Sequence, residues 1–143
     1  MGASQRRRGQ MAKITERYSA VVATLNETNE PGGGTHRFTH NALDQLAKSA
    51  PGVPVLLNFD CDARIGTVTS AKNENGRLVV EMDIDKPIPI AADVARTVPG
   101  FVAKDDSVDA DGNRIVMGAR TFSMGITDNP IEKDLPEMVK CLK

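Results

Sequence analysis

Ser123 is the residue in this sequence best placed to act as a nucleophile. It stands in Phe122-Ser123-Met124-Gly125, on an apolar stretch where a hydroxyl is unexpected. A serine attacks a carbonyl only with a base in hydrogen-bond reach and a third group to orient that base; without them it is an ordinary serine bonded to backbone. Bases are scarce. His36 and His40 are the two histidines, four residues apart, but a run of glycines precedes them and a helix start lies beside them. Surface or capping roles are expected of both, not a shared metal face. The aspartates Asp105, Asp106, Asp109 and Asp111, with Asn113, superficially resemble a calcium loop. The residue that would come first is Ser107, and no bidentate glutamate follows at the twelfth position, so a solvated hairpin tip is expected. Cys61 and Cys141 have no CxxC and no matching histidine pair, which predicts two incidental thiols and no zinc site.

These residues must be held by a β-rich frame. Residues 14–25 are rich in β-branched side chains and predict a long strand, ended by the polar stretch 26–34 with its three successive glycines. In residues 41–50, Ala42, Leu43, Leu46 and Ala47 recur at helical spacing, with Asn41 expected as the N-cap and Pro51-Gly52 as the stop. Residues 53–59 form an apolar run of the length of a buried strand. Residues 64–71 and 77–85 alternate about Asn73-Glu74-Asn75-Gly76, a hairpin signal with glycine where a positive φ is needed. Pro87 and Pro89 interrupt the sheet, and residues 90–96 have room for about two helical turns. A second hairpin is expected from 101–103 to 115–117 through the loop 109–113, and 119–127 continues as the strand that carries Ser123. Leu135, Met138, Val139 and Leu142 follow the spacing of a short amphipathic helix, with Pro136 in its first turn. The expected fold class is α+β: a barrel-like antiparallel β-sheet with two or three short helices.

Three segments follow: a basic extended arm over 1–13, a β-rich domain over 14–130 and the C-terminal amphipathic helix over 131–143. A chain of 143 residues leaves no room for a second core. Hydrophobic residues at 40% and charged residues at 26% place it with globular proteins and not with disordered ones. With no Trp, one Tyr and four Phe, a stacking platform for single-stranded nucleic acid is hard to build, which disfavours that class of function. The net charge of −1 hides an uneven distribution, because Arg6, Arg7, Arg8 and Lys13 all precede the first acid, Glu16. An arm of this kind cannot fold alone and is expected to take its order from a partner, which these four cations would bind. No apolar run reaches the roughly 18–20 residues that span a bilayer, and residues 1–12 lack the apolar core of a signal peptide. A reducing cytoplasm and no membrane partner are therefore expected, and no cofactor.

The order of these pieces resembles the prohead maturation protease family of tailed bacteriophages, a relative of the herpesvirus assemblin fold. The resemblance covers residues 14–127. In that family a helix is followed by a strand of the form P-V-L-x-N/Q-H-D, then P-I-G-x-V, a hairpin with G-L-x-V-E, and a later strand carrying S-I-G. The corresponding stretches are Val53-Pro54-Val55-Leu56-Leu57-Asn58-Phe59-Asp60, Arg64-Ile65-Gly66-Thr67-Val68, Gly76-Arg77-Leu78-Val79-Val80-Glu81 and Ser123-Met124-Gly125. The resemblance implies a prohead-protease-like fold with Ser123 at the nucleophile position. It also puts Phe59 where the family carries its catalytic histidine, and a phenyl ring accepts no proton. Loss of a triad member typically costs several orders of magnitude in rate. His36 or His40 would have to serve instead, and both precede the helix that the family's histidine follows.

What the resemblance implies is a catalytically inactive relative. The expected function is that of a virion structural protein, a capsid decoration or cement protein, made in the host cytoplasm and resident on the capsid surface. Its expected partners are the major capsid protein and neighbouring copies of itself, contacted through Arg6, Arg7, Arg8 and Lys13, with no metal and no catalytic residue. The alternative is an active maturation protease using Ser123.

Overall fold

Alternation fixes the clearest hairpin. The computed structural model describes residues 15–29, 35–128 and 135–141, and within it β5 (Arg64–Glu74) and β6 (Arg77–Ile84) pair antiparallel. Every second residue of β6, from Leu78 through Val80 and Met82 to Ile84, is buried. The strands turn on Asn75 and Gly76, both at positive φ (55° and 84°), which is the mirror-image turn that suits the twist of a hairpin. Asn73 Oδ1 accepts from Gly76 N at 2.9 Å and braces it.

The other strands are β1 (Glu16–Thr24), β2 (Thr28–Asn29), β3 (Thr35–Phe38), β4 (Pro54–Leu57), β7 (Arg96–Val108), β8 (Arg114–Thr127) and β9 (Val139–Lys140). They form one sheet in the order β2-β3-β8-β4-β5-β6-β1-β9, with β7 paired to β8. The sheet is mixed, where an antiparallel one was expected: β3 and β4 both run parallel to β8. It is also not closed. β1 and β7 lie in contact but share no ladder, so the sheet curls without becoming a barrel.

Among the described residues there is one helix, α1 (His40–Ser49), where two or three were expected. Its apolar face, Ala42, Leu43, Leu46 and Ala47, is buried against β5, β6 and β8, among Val68, Leu78, Val80, Val116, Met124 and Ile126. Each leucine buried there contributes about 1.5–3 kcal/mol. The N-cap is Thr39, whose Oγ1 accepts from Ala42 N at 3.2 Å. Asn41, expected in that role, lies inside the helix and donates from Nδ2 to Met117 O at 2.8 Å. Over residues 90–96 the chain makes a single turn, with Val94 N and Ala95 N both donating to Ala91 O. Arg96 holds this turn closed by donating to Asp93 O and Ala95 O, and its Nε reaches Leu135 O at 2.8 Å.

That last bond helps to explain why 135–141 is extended and not helical. Leu135 is pinned and buried, Met138 packs with Tyr18, Ile88 and Ile90, and Val139 faces out at 63% exposure. The backbone gains a ladder with β1 instead of helical bonds: β9 pairs with Tyr18 and Ser19, and Cys141 N donates to Arg17 O at 2.8 Å. No helix among the described residues is long and apolar enough to cross a membrane.

Candidate functional site

Phe59 and Ser123 lie side by side, brought there by the parallel pairing of β4 with β8, in which Val55 is opposite Met124 and Leu57 opposite Ile126. Past β4 the chain turns at once. Asn58 and Phe59 both take positive φ (50° and 59°), Asn58 N donates to Ile126 O at 2.9 Å, and Leu57 N and Ala63 O close the loop at 2.9 Å. This turn lays the Phe59 ring back across β8. A Cβ built on Gly125 would lie within 2.7 Å of three atoms of that ring, and one built on Gly100 would lie 3.2 Å from it and collide with Ser123 Oγ. Both positions are glycine because the ring and the hydroxyl occupy the space a side chain would need.

A bulge sets the face on which Ser123 sits. Gly100 is opposite Ser123 but Phe101 is opposite Thr121, which leaves Phe122 as the extra residue on β8. Thr121 turns toward the helix and donates to Leu46 O at 3.0 Å, while Ser123 turns toward Phe59. Ser123 is 2% exposed, and its Oγ has no hydrogen-bond partner. A buried hydroxyl with neither base nor acceptor is a weak nucleophile, and the group beside it is a hydrocarbon ring.

Neither histidine is hydrogen-bonded to Ser123. His36 on β3 is buried, its ring 5.2 Å from that of Phe38 and 5.9 Å from that of Phe101. It shares with Phe59 a small apolar pocket of about 50 Å³ that Ser123 does not line. His40 is at the exposed start of α1, with Nδ1 3.3 Å from Asn73 Nδ2 beside the β5–β6 turn. The two are separated because His36 belongs to a strand and His40 to the helix.

The aspartate run forms the tip of the β7–β8 hairpin. Asp109 Oδ1 accepts from Asp111 N and Asn113 N, each at 2.9 Å, and Asp106 pairs with Arg114 at 2.7 Å. Among the described residues no group of three or more His, Cys, Asp or Glu could hold a metal ion. Cys61 is an exposed free thiol on the loop after Phe59, and Cys141 a half-buried one after β9. Arg6, Arg7, Arg8 and Lys13 lie outside the described residues.

Displaced titrations are found on β1 and β9. The hydrogen bond from Lys140, then that from Tyr18, holds the Glu16 carboxyl below its ordinary value, and the Glu16 carboxylate raises Lys140. Asp83, bonded at 2.8 Å, raises Arg17. Desolvation, then the Glu16 hydrogen bond, raises Tyr18.

Sequence reasoning singled out Phe59 and Ser123 but not Gly100, which lies against both. Its neighbour Pro99 marks a strand that can pair on one side alone, and that was the available signal. No protein-family model matches the chain, and no curated protein matches it.

Proposed function

We propose that this chain is a virion structural protein of a tailed bacteriophage, a capsid decoration or cement protein built on a catalytically inactive prohead-protease-like fold. The observation that carries the reading is the contact of the Phe59 ring with Gly125 and Gly100 beside the buried, unbonded hydroxyl of Ser123. The resemblance aligns these two residues with the family's histidine and serine, and they are distant in sequence yet neighbours in space. The ring, 38% exposed, lies over Gly125 and Gly100 where a base would act, so the pair offers no proton acceptor for peptide cleavage. In this reading the curled mixed sheet around α1 is the relative of the protease barrel. The partners are the major capsid protein and neighbouring copies of the chain, and Arg6, Arg7, Arg8 and Lys13 add charged contacts.

The test is mass spectrometry of purified mature particles of the virus that encodes the chain, with a fluorophosphonate probe applied to the isolated protein. Full-length protein at high copy in the particles and no label on Ser123 are expected. Presence in immature heads alone would overturn the decoration role. Labelling of Ser123 would overturn the inactive site and favour the maturation protease.

A further inference from the structure

A groove between the last turns of α1 and the β7–β8 ribbon collects cations that form no ion pair among the described residues. It measures about 470 Å³ and is walled by Lys48, Lys104 and Arg120, with one carboxylate, Asp105. All four side chains are exposed, and none forms an ion pair among the described residues. Arg17, Arg64, Lys72, Arg114 and Lys140, by contrast, each pair with a carboxylate. The clustering has a structural cause. β7 is bulged at this point: Ala103 is opposite Ala119 and Asp105 opposite Gly118, so Lys104 is the extra residue with no partner on β8. Gly118 keeps the floor low, since a Cβ there would lie 2.9 Å from Gln45 Oε1.

We infer that this groove binds an acidic peptide segment of a partner protein, whose carboxylates lie between Lys48, Lys104 and Arg120. Three cations against one anion make a positive recess on a chain whose net charge is −1, and such recesses concentrate anions. Its size suits a few side chains. A nucleic acid fits it less well, because no aromatic side chain lines it for a base to stack on and Asp105 opposes a continuous run of phosphates. A peptide can direct a backbone N–H at Asp105 and set its carboxylates to either side. The groove does not involve Phe59 or Ser123, and the inference stands whether or not the chain belongs to a virion.

The test is an NMR titration of the full chain with a blocked pentapeptide containing two glutamates. Its glutamine counterpart and a short oligothymidylate serve as comparators. The glutamate peptide should move the amides of Lys104, Gly118, Ala119 and Arg120 together with those of the last turn of α1, saturably and less at high salt. Replacing two of the three cations, Lys104→Ala with Arg120→Ala, should weaken it about tenfold, the scale expected for two lost exposed pairs, and leave amides elsewhere unmoved. An equal response to the glutamine peptide, shifts scattered over the surface, or unchanged affinity in the double variant would each overturn the inference. A stronger response to oligothymidylate would overturn the peptide as occupant and assign the groove to nucleic acid.

Discussion

Phe59 holds a left-handed backbone conformation, φ 59°, that costs a bulky residue about 1–2 kcal/mol. The return is the contact of its ring with β8, which requires residue 125 to have no side chain. Gly125→Ala should therefore destabilise the fold by about 1–3 kcal/mol, the usual penalty for overfilling a packed site. Most of that penalty should vanish in a Phe59→Ala background, giving a coupling of at least about 1 kcal/mol in a double-mutant cycle. Urea denaturation of the four proteins measures it, and penalties that simply add would mean that the ring does not set the size of residue 125. At this scale the sequence was informative about residue type and silent about surroundings. A serine on an apolar strand and a phenylalanine at the end of β4 could be read directly. The bulge at Phe122, which decides the face Ser123 occupies, depends on the register of β7 and leaves no mark on β8 itself.

Between β3 and β4 the edge of β8 carries no strand, and α1 serves in its place. Asn41, Gln45 and Ser49, four residues apart, bond in turn to Met117 O, Ala119 N and Thr121 N at 2.8, 2.9 and 2.8 Å. Gln45→Ala should cost about 1–3 kcal/mol, because it removes the acceptor of a buried N–H, whereas Gln45→Glu keeps an acceptor and should cost less. The specific readout is faster hydrogen exchange at the Ala119 amide in the alanine variant, and an unchanged rate would show that the bond is dispensable. The apolar face of this helix was plain in its spacing, and its polar face carried a second four-residue repeat whose meaning appears only beside β8. Both hairpins were legible too, since they are local and carry turn residues. The parallel pairings of β3 and β4 were not, because alternation says which face is buried and not which strand is the neighbour. Before and in β9 the repeat of Leu135, Met138, Val139 and Leu142 suggested a helix, but on the extended chain Leu135 is buried, Met138 partly buried and Val139 exposed. The outer edge of β7 is blunted against further pairing by Pro99 and by the bulge at Lys104.

Across the whole molecule, the C-terminal segment is fastened to β1 by a charged clamp of Glu16, Tyr18 and Lys140. Glu16 titrates below its ordinary 4.5, so its contribution is complete above that value and is lost as pH falls through the lowered one. Lys140 titrates above its ordinary 10.5, so its contribution is complete below that value and is lost as pH rises through the raised one. Protection of the Cys141 amide, which donates to Arg17 O, should hold across neutral pH and fall on acidification below about 4.5, while Glu16→Gln should remove the acid-dependent part. Hydrogen exchange corrected for its intrinsic pH dependence measures this, and identical profiles for the two proteins would exclude the clamp. The clamp secures a margin of the sheet; the centre is β8, which pairs with β3, β4 and β7 and anchors α1. Thr39 and the Val116 carbonyl it faces are 77 positions apart in the chain. During synthesis β3, α1 and β4 leave the ribosome long before the strand they are built upon. Their apolar faces must wait for it, and so high a contact order makes folding slow. The β5–β6 hairpin can form early, but the core closes only when β8 arrives, and until then the nascent chain is at its most prone to aggregate.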